Sequence, residues 1–310
     1  MHRPPVTDDR QYATAPFLRK PMSPPFRVTK VSDEGSSSPF IARVFFGLLK
    51  FRDDLYLLAI NDSERPRARD HFDQQFKPML EAAQAARDAA LEIRRLVSAH
   101  IDAIRTGQAV RYRPNQYDIL QTIDIPLSQA VDKLVDQGVV AVKTGLQNIL
   151  RDPLGLEIGF LFQKDSEFEV GIADLQATGQ PELASYLRRV RGSWLSAFLQ
   201  LRVCHEHHGW SLGGVHYSLT SPSSVAIAMP QVLGLRVDEF AQMSANRILL
   251  LIENLVVYAM DKRCPFPIFV VEIPRESRNP MDPQRFRLAP RGLDPSVPWV
   301  ISYADESDFV

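Results

Sequence analysis

Apolar residues recur at alternating three- and four-residue steps through the middle of the chain, and this period orders it into helices. Between Ala68 and Arg105, Phe72, Phe76, Met79, Ala83, Ala86, Ala90, Ile93, Val97, Ile101 and Ile104 fall on one helical stripe. At 1.5 Å per residue such a helix is roughly 55 Å long, so the pattern predicts that it pairs with another helix or with a second subunit. A second helix is predicted from Asp124 to Arg151, with Asp124 as N-cap and Pro126 in the first turn. Its inward face is Leu127, Val131, Leu134, Gly138, Val142, Leu146 and Ile149, and Asp152 and Pro153 stop it. A third opens at Gln180, Pro181 and Glu182, continues through Leu183, Leu187, Val190, Trp194, Ala197 and Leu201, and ends at Gly209 at the latest. The last, Val237 to Lys262, contains the near-continuous apolar run Ile248 to Ala259, which places it at the centre of a bundle.

Outside these helices the pattern changes. Residues 1–38 hold Pro4, Pro5, Pro16, Pro21, Pro24 and Pro25 and end in Ser36, Ser37 and Ser38, a composition expected to form a flexible arm. Ile41 to Leu49 and Leu55 to Ile60 flank Lys50 to Asp54, which suits a β-hairpin, although period alone leaves a buried helix open. Pro267 to Ile273 and Val297 to Tyr303 are β-rich, separated by a Pro/Arg-rich loop, and would close the fold with a small sheet. The expected organisation is a mainly α protein: an arm over 1–38, a hairpin and long helix over 39–120, a helical bundle over 121–263 and a β-rich extension over 264–310.

Composition narrows the partners only a little. A length of 310 residues with 45% apolar content allows a sizeable core. The formal net charge of -1 gives no global attraction to phosphate, so contact with a nucleic acid requires a local basic patch. Two cysteines, Cys204 and Cys264, make no disulfide framework and fit a reducing, cytoplasmic compartment. The first residues lack the apolar core of a signal peptide, and the run Ile248 to Ala259 is interrupted by Glu253 and Asn254, so no membrane association is expected. Glu253 and Asn254, with Arg247, also need buried partners on so apolar a helix, either one another or the Arg202 segment.

The chemistry concentrates in one segment. Leu201 to Trp210 reads Leu-Arg-Val-Cys-His-Glu-His-His-Gly-Trp, and His205, His207, His208 and His216 are four of the seven histidines. Imidazole is the side chain best suited to proton transfer at neutral pH, although histidines at a helix end also bond its last carbonyls. On a helix Arg202, His205 and Glu206 share a face, whereas His207 lies about 140° from Arg202. Arg202 and His207 therefore cooperate only if the helix breaks near Gly209, or if each faces its counterpart in a symmetric partner.

Arg202 followed after four residues by His207, at the end of one bundle helix and ahead of another, resembles the HEPN superfamily of helical nucleotide- and RNA-binding domains. Glu206-His207-His208-Gly209-Trp210 is similar to a Glu-His-x-Gly-Trp pattern of bacterial HEPN-like proteins. The resemblance covers Asp124 to Lys262 and implies a four-helix bundle that dimerises across the motif, with the long helix and small β elements near both ends as additions. It further implies a metal-independent endoribonuclease without a cofactor, a toxin or defence factor with RNA as substrate and an antitoxin as partner. Arg202 would stabilise charge on the scissile phosphate, His207 would move the proton, and Glu206 would orient either one. Arg188, Arg189 and Arg191, with His208, are the candidate substrate-binding residues.

Two other classes remain in view. Val203 stands where catalytic members often carry a polar residue, which favours a non-catalytic binding or scaffold module. Cys204 with His208, and His205 with His208, have spacings that would let two ligands share a metal ion, as in a metal-dependent hydrolase. The string is not His-Glu-x-x-His, since position 209 is Gly.

Overall fold

The computed structural model describes residues 39–290 except 115, 152–153, 222–223, 266 and 280–283. The expected arm, the Asp152–Pro153 stop and the β stretch Val297 to Tyr303 lie outside them. The described residues open with helix α1 (Pro39–Ala59), where the hairpin was expected. Val44, Phe45, Leu48, Phe51, Arg52 and Tyr56 are all buried at helical spacing, so the apparent polar break is part of the same stripe. Arg52 passes inward through that break, pairing with Asp53 at 2.8 Å and with Asp73.

Helix α2 (Arg65–Arg105) is the predicted long helix, and Phe72, Phe76, Met79, Ala83, Ala86, Ala90, Ile93, Val97 and Ile104 of its stripe are buried. It ends in the hairpin β1 (Val110–Arg113) and β2 (Gln116–Ile119), which turns the chain back. Helix α3 (Asp124–Val139) continues without a break through a π turn (Val140–Leu146) into α4 (Gln147–Arg151), and every residue of the predicted inward face is buried. Asp124 is not its N-cap. Its carboxylate instead accepts the Val215 backbone N–H at 2.7 Å, tying the start of this helix to a remote loop.

A short 3₁₀ turn (Gly159–Phe162) leads into α5 (Asp165–Ala177), which the sequence pattern did not single out. The third predicted helix is α6 (Pro181–Val190), a π turn (Arg191–Leu195) and α7 (Ser196–His208), capped by Gly209 in the left-handed conformation at φ 61°. The π turn advances the face by one residue, so Leu195 and Phe198 are buried and Ala197, expected inside, is exposed. Strands β3 (His216–Ser221) and β4 (Ser224–Ala228) form a second hairpin, and β5 (Gln231–Val232) and β6 (Leu235–Arg236) a two-residue one through Leu233 and Gly234, both at positive φ. Helix α8 (Val237–Asp261) follows, and β7 (Ile268–Glu272) pairs antiparallel with β8 (Phe286–Pro290), a strand in the expected loop.

The protein is mainly helical, and the long helix lies inside the bundle rather than beside it. Helix α2 packs along α3, its π turn and α8, while α1 rests on α8 and α7 on α3. One hydrophobic core runs from Val44 to Val270, so position 120 marks no boundary between units. Two glycines permit close approaches between helices: a Cβ on Gly145 would stand 2.6 Å from the Met79 Cβ, and one on Gly138 2.6 Å from the Ile248 Cδ1. Helix α8 is apolar and long enough to cross a membrane by composition, but most of it is buried among the other helices.

Two polar devices fix the periphery to this core. Arg285, fully buried before β8, donates to Glu253 of α8 at 3.0 Å, to Asn254 at 3.0 Å and to Glu272 of β7 at 2.9 Å. Arg43 of α1 reaches the same Glu253 carboxylate at 3.2 Å, and Asn254 donates to the Tyr186 hydroxyl at 3.1 Å. Glu253 and Asn254 thus find their partners in α1, α6 and the C-terminal hairpin, not in the Arg202 segment. Burial alone would lower the Arg285 pKa, but the carboxylates of Glu253 and Glu272 reverse the effect and hold the guanidinium firmly protonated.

At the other end, the two hairpins pack together on the last turns of α2, with Tyr112, Tyr117, Tyr217, Val225 and Ile227 around Ile104 and Val110. His100 of α2 lies 2.8 Å from the Tyr217 hydroxyl, and the Tyr117 hydroxyl donates to the Tyr217 carbonyl at 2.9 Å. Burial lowers the His100 pKa, with partial opposition from the Asp124 carboxylate. A histidine depressed in the folded state gives stability that is present above its unfolded value of about 6.5 and lost as pH falls through the folded value. Thermal unfolding from pH 7.5 to 4.5 should therefore show the wild type losing more stability than His100→Gln as the medium turns acid. Parallel curves would mean that His100 carries no part of the acid response.

Candidate functional site

Helix α7 lies antiparallel to α3, which puts Arg202 level with Asp136 and His205 level with Asp132. Arg202 donates from Nε to the Glu206 Oε1 at 2.9 Å and its Nε stands 3.6 Å from the Asp136 Oδ1. Both carboxylates thus address one edge of the guanidinium. Its two terminal amino groups make no hydrogen bond among the described residues, and the side chain is 32% exposed. This is a cation braced from behind and open in front. His205 presents Nε2 to the Asp132 Oδ1 at 3.4 Å.

His207 stands apart. It is 67% exposed, and its contact is with Glu206, Nε2 to Oε2 at 3.9 Å, beyond hydrogen-bond length. Helix α7 is unbroken through His208, so the kink that would have joined Arg202 to His207 within one chain does not occur. Glu206 lies between them, holding Arg202 by one oxygen and facing His207 with the other. Burial raises the Asp132 pKa, helped by Asp136 and opposed by His205.

Other site residues separate by role. Arg191 donates to the carbonyls of Leu161 and Gln163 at 2.8 and 2.7 Å and to Asp165 at 2.7 Å, and covers the Phe168 ring, so it fastens α5 to the π turn. Arg188 pairs with Glu169 of α5 at 2.8 Å, and Arg189 is exposed. The side chain of His208 lies outside what the structure describes. Cys204 accepts from Gln200 at 3.6 Å, and among the described residues no three His, Cys, Asp or Glu side chains converge on a metal position.

No protein-family model, curated protein or solved structure matches the chain.

Asp132 and Asp136 are the site residues that sequence reasoning missed. The signal was present as two carboxylates four apart, the first next to the inward position Val131. It becomes meaningful only when α7 is known to lie alongside α3.

Proposed function

We propose that the chain is a HEPN-type endoribonuclease that works without metal as a homodimer, with Arg202, Glu206 and His207 at the exposed end of α7 as its catalytic group. The observation that carries this reading is the Arg202 side chain. Glu206 and Asp136 hold it by Nε, leaving a planar pair of amino groups open to the two oxygens of a phosphodiester. His207, on another face of an unbroken helix, reaches the phosphate held by Arg202 of the partner copy, which gives the dimer its chemical purpose. A cytoplasmic toxin or defence factor held by a small antitoxin fits such a site.

Purified protein in excess chelator should cleave single-stranded RNA. Arg202→Ala and His207→Ala should each reduce the rate at least tenfold, since each removes a charge-stabilising or proton-carrying group, with unchanged circular dichroism. Cleavage that survives both substitutions sinks the reading. The second reading is a non-catalytic RNA- or nucleotide-binding module, favoured by the carboxylates of Asp132, Asp136 and Glu206 around the only cation of the cluster apart from histidines, and by exposed Val203. Binding of RNA without cleavage selects it.

A further inference from the structure

We propose that residues 32–35, directly ahead of α1, dock in the groove between α2 and α8 beyond the start of that helix, with Asp33 and Glu34 paired to Arg87 and Arg94. The inference is independent of any ribonuclease activity. The groove is marked by α1, which rests on both α2 and α8 and runs in the same direction as α8: Arg43 meets Glu253, and Leu48 and Phe51 line a small pocket with Val257, one turn further on. Followed back beyond Pro39, the face of α8 that carries Glu253 presents Asn246 and Gln242. Helix α2 sets a stripe of Gln84, Arg87, Leu91 and Arg94 beside it, joined to α8 through Gln242. Arg87 is buried, Gln84, Leu91 and Gln242 are half-buried, and Arg94 is exposed.

Charge, reach and hydrogen bonding all fit this occupant. Arg94 donates to the Gln242 Oε1 at 2.8 Å and Arg87 to the same oxygen at 3.5 Å, while Gln242 donates to Asn246 at 3.0 Å, which keeps its carbonyl turned to the arginines. Two guanidiniums thus converge on a neutral amide, which accepts a hydrogen bond but balances no charge. Nearby carboxylates are engaged elsewhere: Asp88 with Gln84, Glu92 with Arg95 and Asp238 with Arg236. Asp33 and Glu34 are the acids that come next ahead of α1 in the sequence. Pro39 lies about 6 Å before Arg43 along α1 and Gln242 roughly 16 Å before Glu253 along α8, so about 10 Å separates the two levels. The stretch from Glu34 to Ser38 spans up to about 17 Å when extended, enough to carry both acids to the arginines. Gln84 points to a peptide rather than a bare anion. Its Oε1 is buried and accepts no hydrogen bond among the described residues, its amide nitrogen being turned to Asp88 at 2.6 Å. A backbone N–H of a segment laid along the groove supplies the donor that an anion lacks.

Amide hydrogen exchange of the full chain, read by mass spectrometry over residues 31–38, tests the docking. In the wild type these amides should exchange about tenfold more slowly than in a synthetic peptide of the same sequence, as expected of a segment held by local contacts. Asp33→Asn with Glu34→Gln, a change confined to the segment, should return them to the peptide rate, and so should Arg94→Glu, at an exposed position of α2. Adding Glu34→Arg to Arg94→Glu should restore protection, an outcome that a loss of folding would not give. Salt at about 1 M, where screening acts over roughly 3 Å, should weaken the protection as well. Exchange at the peptide rate in the wild type overturns the inference, and so does protection that survives both the segment variant and Arg94→Glu. Protection that disappears on dilution to monomer assigns the groove to the segment of a second copy and overturns docking within one chain.

Discussion

Arg285→Ala should lower the free energy of unfolding by about 3–5 kcal/mol, the range measured when one member of a buried ion pair is removed. The side chain is 0% exposed and Glu253 2%, so the substitution leaves a carboxylate in the core with Arg43 as its remaining cation and deprives Glu272 of a donor as well. Urea unfolding followed by circular dichroism at pH 7 measures the loss. Replacing Arg285, Glu253 and Arg43 together by Met, Leu and Met should recover most of it, since a packed apolar set avoids the desolvation that the charges incur. A single substitution costing less than about 1 kcal/mol would place the network among solvent-screened surface pairs.

Gly145→Val should cost about 3 kcal/mol, at the upper end of overpacking effects in a close-packed core. The added Cβ meets Met79 at Cβ, Cγ and Cα, at 2.6, 2.8 and 2.9 Å, and Met79 lies in the middle of the longest helix. A backbone atom cannot rotate away, so α2 and the π turn must separate. Gly138→Ala is the informative comparison. Its Cβ would meet the ends of Ile248 and Phe198, which can turn aside, and its cost should be smaller. Equal urea midpoints for the two variants would show that the helices do not touch as closely as the structure has them.

What the sequence made legible follows the range of the interaction. The stripe of α2 and the inward face of α3 and α4 were readable residue by residue, because helical period reflects contacts that repeat every turn. The end of α7 was readable as well, since Gly209 alone among its neighbours tolerates the left-handed conformation that closes the helix. Residues 40–60 misled because Arg52 and Asp53 look like a turn, when the arginine is buried against α2. Helix α5 has a weak apolar stripe, with Val170 exposed, and escaped a reading based on period. The need for partners at Glu253 and Asn254 was visible, but not that Arg285 would supply them. Likewise the cluster at Arg202 to His207 stood out by its composition, while Asp132 and Asp136 gained meaning only from the packing of one helix on another.

The π turn at Arg191–Leu195 gives that cluster an unexpected dependence. One residue of a helix corresponds to about 100° of rotation, so the width of this turn decides which side of α7 looks toward α3. Arg202 and His205 face Asp136 and Asp132 because of a phase set more than a full turn upstream, by residues that carry none of the chemistry. A length change of a single residue there acts as a switch of face: it would deliver a different set of side chains to the same place on the bundle while leaving every residue of the motif intact.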